Sequence, residues 1–160
     1  MSTFQCSEAS LFCRYILRSL DHLFQCIEKL NKEQLNWKPA IANANSLYVL
    51  AVHTLANAEE NILYMLRGQE SLRQREQEFL AYADSAENLL AYWQEARVRL
   101  QDALLEVTSE DLVREINHPR RGVATGLEIL IIVARHAAEH LGQAELTRDL
   151  MNAYPSQGHS

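Results

Sequence analysis

Glycine and proline are scarce in this chain: five and three residues in 160. With so few breakers, a loop-rich or all-β architecture is excluded and long uninterrupted elements are expected. Cysteine is scarce too. Cys6, Cys13 and Cys26 are odd in number and include no Cys-x-x-Cys pair, so complete internal disulfide pairing is ruled out. They read as reduced thiols in a cytoplasmic protein. Positive charge is in deficit, 15 Lys and Arg against 21 Asp and Glu for a net charge of -6. The one tight basic cluster is Arg120-Arg121, which is no basic face for a phosphate backbone, so no nucleic-acid partner is expected. Long apolar runs are missing as well. Ile129–Ala134 is far too short to cross a bilayer, and the N-terminus has no secretory pattern.

What remains is helical periodicity. A first helix is expected from about Ser7, as N-cap, to Leu30, with Leu11, Tyr15, Leu23, Ile27 and Leu30 on its apolar face. A loop through Asn36-Trp37-Lys38-Pro39 leads to a second helix, capped by Ser46 and running to about Arg67 before Gly68. A third spans about Ser85 to Val107, with Tyr82, Ala86, Leu89, Trp93, Ala96, Leu100 and Leu104 as its stripe. An irregular segment without strand pattern covers 108–126, and Thr125 caps a fourth helix ending near Met151. These four helices predict an all-α four-helix bundle, one domain over 1–153 with a flexible tail at 154–160.

The second helix is apolar around most of its circumference, except for a narrow strip of His53, Asn57, Glu60 and Asn61. The last helix carries His136 and His140, four residues apart and therefore on one face. Imidazole is the commonest neutral metal ligand, and bundles build metal sites from side chains on facing helices. His53, His136 and His140 are the candidate ligands of one divalent ion, with nickel, zinc and iron all chemically acceptable. Asn57, Glu60, Glu139 and Gln143 are candidate supporting groups, Glu60 also a candidate fourth ligand or base. For Glu139 an i,i+4 pair with Arg135 competes with that role. His22 reads as a satisfied core residue, and His118 and His159 as loop and tail residues.

Three stretches carry a resemblance. Leu35-Asn-Trp37-Lys-Pro39, then Asn45-Ser46-Leu47 leading through Leu50-Ala51-Val52 to His53, and His136-Ala-Ala-Glu139-His140-Leu-Gly-Gln143 resemble, in order and spacing, the DinB-like superfamily of bacterial proteins. That superfamily includes thiol-dependent S-transferases acting with bacillithiol or mycothiol. The resemblance runs from about Leu11 to Leu150 and implies a four-helix bundle, commonly dimeric, with three histidines on one divalent metal. Glu139 and Leu141 depart from the histidine and basic residue that often flank the last ligand. The function expected on this basis is a metal-dependent thiol S-transferase using a low-molecular-weight thiol and a small electrophile. The alternatives are a metal-dependent hydrolase and a non-catalytic, metal-stabilised dimeric binding protein. His136-x-x-Glu139-His140 also satisfies an inverted zinc-protease pattern, but a 160-residue bundle offers no large substrate chamber.

Overall fold

Ser46 and Thr125 begin the two helices that matter most. Each hydroxyl accepts a backbone N–H three residues on, from Val49 and Glu128 respectively, satisfying donors that a helix leaves open at its first turn. Glu128 reaches back to the Thr125 amide and completes a capping box. The computed structural model describes residues 4–71 and 73–154. His159 and most of the expected tail lie outside the described residues.

Four long helices form the body, consistent with the expected all-α bundle. They are α1 (Ser7–Gln25), α3 (Leu47–Glu59), α5 (Glu87–Leu105) and α7 (Gly126–Ala153). A π-helical segment, Glu60–Leu66, extends α3. Short helices fill the connections: α2 (Lys32–Asn36), α4 (Arg75–Glu78) and α6 (Ser109–Val113). α1 packs on α7 and α5, and α3 packs on α7. Among the described residues no helix is long and apolar enough to cross a membrane.

The core runs between these helices, with Trp93 of α5 stacked on Phe24 of α1 at 4.9 Å between ring centroids. Both rings are buried, and each such side chain contributes about 1.5–3 kcal/mol through removal from water. The buried face of α1 is Cys13, Ile16, Leu20, Leu23 and Phe24. Leu11 and Tyr15, expected on that face, are 44% and 58% exposed. Periodicity identified the helix but assigned two apolar residues to the wrong side of it.

Four further expectations need correction. Ser7 is the first helical residue of α1 rather than its cap, and its hydroxyl bonds Glu8. α1 stops at Gln25, five residues early, and the chain turns through Lys29 at φ 62°. The segment expected to lack strands contains an antiparallel hairpin, β1 (Glu115–His118) and β2 (Gly122–Thr125), pairing Glu115 with Thr125 and His118 with Gly122. His118, expected in a loop, lies in β1 with its ring buried. Gly122 closes the turn at φ 77°, a conformation that suits glycine.

Gly126 joins this hairpin to α7 where backbones meet closely. A β-carbon there would lie 2.1 Å from the Asp111 carbonyl oxygen and 3.0 Å from the Leu66 side chain. Gly126→Ala is therefore expected to destabilise the protein by about 1–3 kcal/mol through overpacking, read as a lower urea midpoint at unchanged slope. An unchanged midpoint would show that α6 can move aside without cost.

Candidate metal centre

His53 lies in the second turn of α3, on a face turned into the bundle, and is 5% exposed. His136 and His140 lie one turn apart on α7, partly buried. The facing of α3 and α7 brings the three rings together. His136 Nε2 is 3.1 Å from His53 Nε2 and 3.1 Å from His140 Nε2. One ring nitrogen from each residue lies within 4.8 Å of the other two.

The outer nitrogens of two of these rings are engaged. His53 Nδ1 is 2.7 Å from Glu78 Oε2, and His140 Nδ1 is 2.8 Å from Gln143 Oε1. Burial works against ionisation of Glu78, but hydrogen bonds and charge from Arg73 and His53 outweigh it and hold the carboxyl at about 2. The carboxylate must accept, so His53 Nδ1 donates. The Gln143 carbonyl oxygen likewise accepts from His140 Nδ1. Both rings, when neutral, then direct the Nε2 lone pair toward His136.

Burial, reinforced by the neighbouring His140 and His53 and by Arg73 and Arg121, pushes His136 down to about 3. Burial also lowers His140 against the opposing hydrogen bond to Gln143. The rings of α7 are thus neutral near pH 7. Two lone pairs converge on one nitrogen at 3.1 Å, and a single proton can bridge only one of those contacts. A divalent cation would accept electron density from all three. Zinc–imidazole bonds of about 2.0–2.1 Å at tetrahedral angles place nitrogens about 3.3 Å apart, so this donor set fits such an ion with small adjustment. His136 Nδ1 is buried without a partner among the described residues.

The remaining strip residues face inward, but not all toward this cluster. Glu60 accepts from Arg73 and from Arg120, which outweigh its burial and hold its carboxyl below the ordinary range. With both oxygens taken by guanidinium groups, it is not among the atoms that converge. Asn57 is buried, and its Oδ1 has no partner among the described residues. Glu139 is exposed and lies 3.5 Å from Arg135. Glu78 and Arg73 were not singled out from sequence. Arg73 donates from Nε to Glu78 Oε1 at 2.5 Å and from Nη2 to Glu78 Oε2 at 2.7 Å, with its other arm on Glu60. The order His53–Glu78–Arg73–Glu60–Arg120 links the histidine cluster to the hairpin turn.

Residues 15–144 match the family model of the DinB superfamily. The chain belongs to the DinB superfamily. A solved structure, described as the conserved protein of a locus from Enterococcus faecalis, superposes on this DinB chain with a TM-score of 0.71. The match covers 90% of this chain and 96% of that one at 17% identity, a likeness of fold alone. No curated protein matches. Within the DinB fold, the histidine cluster lies where α3 meets α7, and all three histidines fall within the matched residues.

Proposed function

We propose that this DinB protein binds one divalent metal ion through His53, His136 and His140 and uses it in thiol S-transfer to a small electrophile. The observation that carries the reading is the convergence of three imidazole nitrogens, two of them turned inward by Glu78 and Gln143. When bound, a divalent ion held by three neutral imidazoles keeps its full charge and lowers the pKa of a thiol or water beside it. The chain's part is to orient and to exclude water. Glu78 holds His53 in one tautomer, Gln143 holds His140, and the Phe79 ring covers the His53 ring at 4.6 Å. His136 and His140 are only partly buried, which favours a site reachable by a small molecule over a closed structural one.

Metal content and affinity of the purified protein test the first half. One ion per chain is expected, and His53→Ala, His136→Ala and His140→Ala should each weaken binding at least about tenfold. His22→Ala should leave it unchanged. Equal losses in all four variants, or a wild type without affinity, would overturn the assignment. For the second half, adding a low-molecular-weight thiol to cobalt-loaded protein should produce a thiolate-to-metal charge-transfer band that His53→Ala lacks. No band at saturating thiol would favour the hydrolase or binding-protein reading.

A further inference from the structure

A recess of about 440 Å³ opens between α2, the start of α3 and the segment after α4, with Trp37, Val49, Phe79, Leu80 and Tyr82 in its walls. That volume is within the range of small-molecule sites, about 300–1,000 Å³. None of the three clustered histidines lines it. It touches the metal centre at one point, Phe79, whose ring also packs on His53.

Part of the wall is held before any ligand arrives, while Leu80 and Tyr82 stand largely exposed at its edge. Asn36 clamps the far strand of chain, donating to the Ala83 carbonyl at 2.7 Å and accepting from the Ala83 amide at 3.2 Å. An Asn31/Gln34 capping box fixes the start of α2, and the Ser46 hydroxyl fixes the start of α3. Phe79 is pinned between His53 and the Arg75 guanidinium, which lies 4.9 Å from its centroid. Preorganised aromatic walls cost little conformational entropy on binding.

The charges around the recess are unequal in their commitments. Lys32 is paired with Asp84 at 2.7 Å, lies 5.6 Å from the centre of the Tyr82 ring and also feels Glu33. Lys38 is exposed and has no ion pair among the described residues. Glu33 also lines the recess and is exposed, so the wall carries both signs of charge; its three aromatic rings with the Lys38 ammonium match a flat apolar body with an anionic end.

We propose that this recess is a binding site for small aromatic carboxylates, with the ring between Trp37 and Phe79 and the carboxylate on Lys38. The site needs no metal, so it stands or falls separately from the three-histidine reading. The larger recess between α1 and α5, about 500 Å³, is lined mainly by polar and charged side chains and crossed by the Arg97–Asp21 pair at 2.9 Å.

The chain supplies its own reporter. Of its two tryptophans, Trp37 lines the recess, while Trp93 is 2% exposed in the core and gives a steady background. Tryptophan emission of metal-free protein is followed against 3-phenylpropionate and its neutral counterpart 3-phenylpropanol. A saturable change is expected with both, tighter for the acid. Lys38→Glu should weaken the acid at least about threefold, as loss of one exposed ion pair allows, and leave the alcohol unchanged. Ala81→Phe, which fills the recess, should abolish both responses while helical circular dichroism is retained. No saturable response at millimolar ligand would overturn the site. Equal affinity for acid and alcohol, indifferent to Lys38→Glu, would overturn the anionic ligand class.

Discussion

Replacing Arg73 by alanine is expected to cost about 3–5 kcal/mol of stability. The Arg73 side chain is 4% exposed and lies between two buried carboxylates, Glu60 at 6% and Glu78 at 7%. Coulombic attraction and charge-assisted hydrogen bonds offset the loss of hydration for all three groups. Without the guanidinium, Glu78 keeps only His53, and Glu60 keeps only Arg120, whose side chain is 41% exposed. A lower urea midpoint at unchanged slope is the readout. Adding Glu78→Gln to Arg73→Ala should recover part of the loss by removing the stranded charge. A cost below about 1 kcal/mol for Arg73→Ala would mean that water reaches these carboxylates freely.

The same network sets an acid limit in the metal-free protein. Glu78 is held at about 2 against an ordinary 4.5, and Glu60 is also lowered. A carboxylate depressed by folding adds stability above its unfolded pKa and loses it as pH falls through the folded value. The loss should therefore run from about pH 4.5 to 2, beneath an earlier one that begins near 6.5 as the unfolded chain protonates its counterpart of His136. In Arg73→Ala the lower limb should flatten, because the carboxylates titrate closer to their unfolded values. Identical limbs in both proteins would remove Arg73 as the cause.

How much of this could be read from sequence follows from the range of each interaction. Ser46 and Thr125 act on amides three residues away, so their caps were legible. His136 and His140 share a face by helical geometry alone, and His53 stood out as polar on an apolar helix. Glu78 is different. It reaches His53 across 25 residues, from a four-residue helix within a polar stretch where acids are common and no periodicity marks one as inward. Arg120 was noticed only as half of a two-residue basic cluster, and its use depends on a hairpin of four-residue strands, too short for alternation to register. Leu11 and Tyr15 show the converse limit. Apolar spacing indicates a helix, but neighbouring elements decide which of two apolar edges is covered.

Glu78 also carries the largest expected effect on the proposed metal binding outside the three histidines. Carboxylates that accept from the outer nitrogen of a ligating histidine fix its tautomer and raise its basicity, and their removal costs about 10–100-fold in metal affinity. Glu78→Ala should weaken binding by that factor, with Arg73 still held by Glu60. Glu78→Gln keeps an acceptor for His53 Nδ1 and gives up the charge, so it should fall between wild type and alanine. Gln143→Ala, which frees His140 Nδ1, should act in the same direction but less strongly, since a neutral amide adds less to ring basicity than a carboxylate. Titration of apo protein with zinc, alongside urea midpoints, separates orientation from folding. A purely structural role would lower the midpoint of Glu78→Ala and leave the affinity of its folded fraction at the wild-type value. That outcome would reduce Glu78 to a member of the Arg73 network and leave His53 oriented by Phe79 and packing alone.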